Sequence, residues 1–244
     1  MADRARRFGP PSPKDNYLLA ALPTADVERL QRSMMLTALP LGAVLYESGT
    51  QMRDCYFPVS GLVSLLYTLE NGGTAEIAVV GNDGCVGVAI LLGGGTTPSR
   101  AVVQIAGHAY RVNSEAVLAE FHRGGPTEHV LLRYIQSLMT QMSQTAVCNR
   151  HHTVEQQLCR WLLLSLDRVP SNEIQMTQEL ISNMLGVRRV GITEAARKLQ
   201  AARLIEYRRG HVTVPDRAKL EAHACECYAV VKRETDRLLP HQFA

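Results

Sequence analysis

Five of the six arginines between positions 187 and 210 stand where they could do nucleic-acid chemistry: Arg188, Arg189 and Arg197, then Arg208 and Arg209. A guanidinium presents a planar fork of donors that matches phosphate oxygens or the O6/N7 edge of guanine. The first three fall in a stretch where Ile192, Ala195, Ala196 and Leu199 recur at helical spacing, which leaves Arg189, Val190, Thr193, Glu194 and Arg197 on the outward face. Ahead of it, residues 177–185 read as a short amphipathic helix opened by Thr177 and Gln178, and Gly186 supplies a left-handed turn at least steric cost. Behind it, residues 204–214 read as two short strands around a basic turn, with His211 just past Gly210. Helix, turn, helix and hairpin in that order set an arginine-bearing helix for a DNA major groove and a hairpin for phosphate. Helix pairs around a glycine are also plain packing units; the hairpin and the clustered arginines favour the DNA reading.

Charge agrees with this placement. The chain of 244 residues carries a formal +3. Residues 150–220 hold 12 Lys/Arg against 7 Asp/Glu, whereas residues 17–149 hold 7 against 10. The positive excess lies on the segment nominated for DNA, where phosphate neutralisation supplies much of the affinity. No apolar run is long enough to span a bilayer, and residues 1–16 lack the apolar core of a signal peptide, so a cytoplasmic protein without a membrane partner is expected. The six cysteines (Cys55, Cys85, Cys148, Cys159, Cys225, Cys227) show no zinc or iron–sulfur spacing. Cys225 and Cys227 fall in a tail read as one helix over 216–239, where positions two apart diverge; His223 and Cys227 could share a face, but two ligands make no site. His151 and His152 likewise diverge. Buried, idle thiols are expected, with no metal and no cofactor.

The elements that must position the arginines come earlier. Residues 17–37 read as a helical lead-in broken at Leu22-Pro23. Short strands follow at 43–46, 55–59, 61–67, 75–80 and 101–105, with the hairpin signal Asn71-Gly72-Gly73. Evenly spaced short strands imply a small barrel or jelly roll. A short helix over 114–123 and a long one over 127–152 come next. On the long helix Leu131, Ile135, Leu138 and Met142 recur at steps of four and three, as on a coiled-coil seam, and are the candidate dimer interface. A helix over 153–169 carries Trp161 as a packing anchor. An enzyme of the cupin type would need histidines on the strands, and residues 40–105 contain none, so no catalytic residue is assigned.

This order resembles the Crp/Fnr family of bacterial transcription regulators across about residues 17–214. Its most specific segment is Met176-Thr177-Gln178-Glu179-Leu180-Ile181-Ser182-Asn183-Met184-Leu185-Gly186-Val187-Arg188-Arg189, with Ala202-Arg203-Leu204-Ile205. The resemblance implies an α+β chain with a β-roll sensor (17–125), a dimerisation helix (126–152) and a winged helix-turn-helix; the residues themselves add a flexible basic arm (1–16) and a C-terminal helix that closes the last unit (153–244). It implies a homodimer on a pseudo-palindromic operator, contact with RNA polymerase, and a small-molecule effector of unspecified identity. The alternative is a ligand-binding or interaction module that has lost specific DNA contact.

The family's base-reading positions fall on Arg189, Val190 and Glu194. Arg189 matches; Val190 replaces a glutamate and Glu194 reverses an arginine's charge, so the operator departs from the family consensus. Thr177 matches the phosphate-contacting position. In the sensor, Gly84-Cys85-Val86-Gly87 stands where cyclic-nucleotide members carry a ribose-binding Glu, and Ser99-Arg100-Ala101 shifts the phosphate-binding arginine by one place. Cyclic AMP is therefore disfavoured, and Arg100 is the single candidate ligand residue. The N-terminal cysteine cluster of redox members is absent.

Overall fold

The computed structural model describes residues 10–239. Strand β1 (Met34–Leu39), β2 (Val44–Tyr46), β3 (Asp54–Thr68), β4 (Thr74–Val80) and β5 (Arg100–Asn113) form one antiparallel sheet in the order β1-β5-β3-β4, with β2 also on β5. Strands β3 and β5 run 15 and 14 residues, so they must bend to enclose a core. Register shifts between Pro58 and Leu62 make the bend. There Gly61 has φ +82°, and a Cβ on Gly107 would come within 2.3 Å of the Ser60 carbonyl oxygen. The two strands expected on either side of Ser60 are thus one bent strand.

The helical lead-in is shorter than the sequence suggests. Helices α1 (Tyr17–Ala20) and α2 (Thr24–Gln31) end before Met34, because residues 34–39 pair with β5 from Met34↔Val112 to Leu39↔Gly107. Of the expected flexible arm, residues 1–9 lie outside the described residues, and residues 10–16 are held against the β-roll at Pro11 and Asn16 while Pro10, Lys14 and Asp15 are exposed. Tyr110 Oη donates to the Pro11 carbonyl at 2.7 Å. Fully buried Asn16 donates through Nδ2 to the carbonyls of Pro58 and Gly84, both at 2.8 Å, while its Oδ1 caps Leu19 N.

Helix α3 (Ser114–His122) leads to α4 (Pro126–His151), which lies across the β-roll. The expected dimer seam is corrected here. Leu131, Ile135 and Leu138 are 2%, 5% and 4% exposed, and they pack into their own β-roll cores with Met142 half-buried beside them. The periodicity is that of a helix seated on its own sheet. The solvent-facing side of α4, flanking the buried stripe, shows Leu132, Met139 and Val147, 42%, 61% and 45% exposed, with Met139 at the rim of the space between α4 and the β-roll.

Helix α5 (Val154–Leu166) is separated from α4 only by His152 and Thr153, with Thr153 and Gln156 forming a capping box. It anchors β6 (Glu173–Gln175), α6 (Gln178–Leu185), α7 (Arg189–Ala201), β7 (Glu206–Arg208) and β8 (His211–Thr213), the strands ordered β6-β8-β7. Trp161, Leu158, Leu162, Ile181, Ile192 and Leu199 form their shared core. The expected single tail helix is two: α8 (Arg217–His223), capped by Asp216, and α9 (Glu226–Leu238), with extended backbone at Ala224 and Cys225 between them. Helix α9 returns to α4, where Ser137 and Thr235 hydroxyls meet at 2.8 Å and Leu238 and Leu239 join the β-roll core. The tail helix therefore does not lie wholly within the winged unit.

The winged unit is docked on β4. Thr74 Oγ1 donates to the Asn183 carbonyl at 3.1 Å, Arg168 pairs with Asp83 at 2.6 Å, and Trp161 Nε1 donates to Glu76 at 2.9 Å. Glu76 also accepts from Ser64. Burial pushes its carboxyl up to about 7, against the hydrogen bonds and the nearby arginines. The native state thus holds a proton that the unfolded chain releases near 4.5. Stability from this group is present below that value and falls as pH rises toward 7. Glu76→Gln keeps the acceptor for Trp161, and should remove about 1–3 kcal/mol of pH dependence across this window. Denaturant midpoints at the two ends of the window measure it; a variant with the wild-type slope would overturn the assignment.

Candidate nucleic-acid interface and effector pocket

Thr177 caps α6 by accepting from Leu180 N at 3.2 Å. The helix ends at Gly186, left-handed at φ 65° and ψ 29°, which closes the turn with its N–H on the Ser182 carbonyl. Helix α7 buries Ile192, Ala195, Ala196 and Leu199, so Arg189, Thr193, Glu194 and Arg197 face solvent and Val190 is 76% exposed. Thr193 Oγ1 donates to Gln178 Oε1 at 2.7 Å, tying α7 to the first turn of α6. Glu194 is paired with Lys198 at 3.4 Å, which offsets its repulsion of a phosphate backbone. Arg188 is exposed at the helix N-cap.

The wing is the two-residue hairpin closed by the pair Arg208↔His211. Both turn residues have positive φ, +50° at Arg209 and +81° at Gly210, the backbone of a type I′ turn. Asn or Gly relieves that conformation more readily than Arg, so an arginine is held at the tip at a cost in backbone strain. Gly210 lies against α6: a Cβ there would sit 3.9 Å from Thr177 Cγ2, and its carbonyl accepts from Met176 N at 2.6 Å. Tyr207 Oη donates to the Met176 carbonyl at 2.9 Å, and His211 bonds to Glu173. Thr177, Gln178 and the wing tip therefore form one surface beside the first turn of α7. The third strand β6, which seats this wing, is only three residues long and so shows no strand period in the sequence.

The β-roll and α4 enclose a cavity of about 200 Å³, below the roughly 300–1,000 Å³ usual for small-molecule pockets. Its walls include Leu65, Cys85, Leu92, Ile135, Leu138, Met139 and Met142, with Tyr46, Tyr67, Thr97 and Ser99 as hydroxyl-bearing groups. No charged side chain lines it among the described residues. Arg100, the candidate ligand residue, is absent from the walls and pairs instead with Glu47 at 3.0 Å. Cys85 does face the cavity, and burial pushes its thiol well up. Sequence spacing assigns Ile135, Leu138 and Met142 of this wall to a dimer seam, because spacing cannot say which neighbour a helix face meets.

A β-roll joined by a long helix to a winged helix-turn-helix is the architecture of a sensor-coupled DNA-binding regulator. Residues 36–123 match the model of the cyclic nucleotide-binding domain, and residues 156–223 match that of the Crp-like helix-turn-helix domain. The chain belongs to the Crp/Fnr family of transcription regulators. Among solved structures, a Crp/Fnr-family protein from Eubacterium rectale ATCC 33656 superposes with a TM-score of 0.65 at 16% identity, covering 85% of this chain and 98% of that one. A CRP-family transcriptional regulator from Thermus thermophilus gives 0.65 at 18% identity, covering 77% and 96%. The c-di-GMP-responsive global regulator CLP of Xanthomonas campestris gives 0.63 at 15%, covering 79% and 99%. No curated protein matches the sequence. No helix among the described residues is long and apolar enough to cross a membrane.

Proposed function

We propose that this regulator binds a pseudo-palindromic operator as a homodimer, with α7 in the major groove and the wing on phosphate. The observation that carries the reading is the outward face of α7: one side is fully committed to the core, and the other offers Arg189 and Val190 beside Thr177 and the wing. Arg189 suits a guanine edge, and the Val190 methyls suit a thymine methyl. Thr177, Gln178, Arg188, Thr193, Arg197, Arg208, Arg209 and His211 supply positioning contacts, and Glu194 is held back by Lys198. The second copy is set against the exposed α4 face of Leu132, Met139 and Val147. Such a dimer works in the cytoplasm, with RNA polymerase as its further partner.

Operators selected from random duplexes test this reading by titration. Arg189→Ala should weaken the selected operator by about 1–3 kcal/mol and relax one base step. Equal loss on selected and random DNA would make Arg189 a phosphate contact and withdraw its reading role.

The effector that fits the cavity is small and largely apolar, because its walls are mostly aliphatic and offer only the hydroxyls of Tyr46, Tyr67, Thr97 and Ser99 and no cation. A cyclic phosphate would be buried there without a partner for its charge. Calorimetry with cyclic AMP, cyclic GMP and cyclic di-GMP should give no binding heat. Micromolar cyclic AMP binding that raises DNA affinity would reverse this conclusion.

A further inference from the structure

The break between α8 and α9 brings together side chains that stand far apart in the chain. Cys148 lies in the last turn of α4, His152 in the hinge between α4 and α5, and Cys225 and Cys227 at the start of α9. Their four potential ligand atoms lie within 4.8 Å of one another. We propose that Cys148, His152, Cys225 and Cys227 form a tetrahedral Cys3His site for a zinc ion, built into the hinge between the sensor and the DNA-binding unit.

The spacing fits one ion. Zinc–sulfur and zinc–nitrogen bonds of about 2.3 and 2.0–2.1 Å in a tetrahedron place two sulfurs about 3.8 Å apart and a sulfur and a nitrogen about 3.5 Å apart. Cys148 Sγ and Cys225 Sγ are 3.7 Å apart, and Cys227 Sγ and His152 Nδ1 are 3.5 Å apart. An iron–sulfur cluster places iron and sulfide between its thiolates and needs a wider set. Thiolate and imidazole donors in a tetrahedron select zinc over the oxygen-seeking cations.

The surroundings complete the site. His152 turns its other nitrogen, Nε2, to Glu226 at 3.4 Å, the carboxylate–histidine–metal arrangement that fixes the ring and its tautomer. Buried Arg160 acts electrostatically on Cys148 and opposes the net negative charge of three thiolates around a divalent ion. The three thiols also form a buried cluster containing no aliphatic side chain. Thiols serving as packing are embedded among aliphatic groups, as Cys159 is in the helix-turn-helix core and Cys55 and Cys85 are in the β-roll. On binding, each S–H bond is replaced by a sulfur–zinc bond and its proton passes to buffer, with no change of oxidation state.

Such a site ties the end of α4 to the start of α9, and so fixes where the winged unit sits on the sensor. Full-length protein, purified under reducing conditions and stripped by chelator, should take up one zinc per chain. Cobalt should give the intense visible bands of tetrahedral thiolate coordination, a readout that needs no variant to fold. Cys148→Ser and Cys227→Ser should lose the cobalt bands, and Glu226→Gln should weaken zinc affinity about 10–100-fold. His151→Asn and His223→Asn should bind like wild type, since His223 is engaged by Glu155. Absent or substoichiometric uptake, octahedral cobalt, or wild-type affinity in Cys148→Ser would overturn the proposal. A Cys148–Cys225 disulfide with no bound ion, in protein never exposed to oxidant, would also overturn it.

Discussion

Met139→Glu should turn the protein into a monomer and cut operator affinity by at least about 100-fold, while leaving the folded chain as stable as wild type. Met139 is 61% exposed near the middle of α4, between Leu132 and Val147 on the same outward face. A second copy related by a twofold axis sets each helix against its own counterpart, so the substitution brings two carboxylates together in an apolar contact. In the free chain the same side chain faces water, and surface changes of this kind shift stability by about 0.5 kcal/mol or less. The loss in DNA binding follows from valency: one half-site held without its partner forfeits an avidity of about 10²–10⁴. Sedimentation and DNA titration measure the two halves of the expectation. A variant that still sediments as a dimer would remove this face of α4 from the interface.

Local patterns in the sequence announced the helix-turn-helix and its wing. The Thr177 cap, Gly186 and the apolar stripe of α7 depend on neighbours within a few positions, so their structural consequences were legible directly. The wing was legible because its turn is two residues long. What failed were the inferences about which distant segment covers a given helix face or pairs with a given stretch. Leu131, Ile135 and Leu138 show the period of a buried helix face, and that period is identical whether the cover is a second helix or the chain's own sheet. Met34 and its successors look helical until β5 offers them a ladder of hydrogen bonds. The thiol cluster shows both sides of this limit. Cys148 and His152 stand four apart, a pair that shares one helix face, and Cys225-Glu226-Cys227 is a compact donor pair; together these were a usable signal. It was lost because a continuous tail helix would send Cys225 and Cys227 apart, and the extended backbone at Ala224 that unites them has no local mark as strong as a proline or glycine.

Leu138→Glu, one residue from Met139, should do the opposite of its neighbour and destabilise the sensor by about 4 kcal/mol or more. Leu138 is 4% exposed and packs in the β-roll core with Leu65, Ala78 and Val103. A carboxylate there loses its hydration; no cation lines the larger adjacent cavity, and Arg168 beside the smaller one is already paired with Asp83. The unfolded chain leaves the same carboxylate in water, so the whole cost falls on the native state. The large expected size follows from this, since an unpaired buried charge is among the few single changes that consume a sizeable part of a domain's stability. Denaturant unfolding of the full chain reads the loss, and the comparison with Met139→Glu separates packing from association. Should Leu138→Glu keep wild-type stability and become monomeric, the seam would run along Leu131, Ile135 and Leu138, and the β-roll would have to release α4 for the dimer to form.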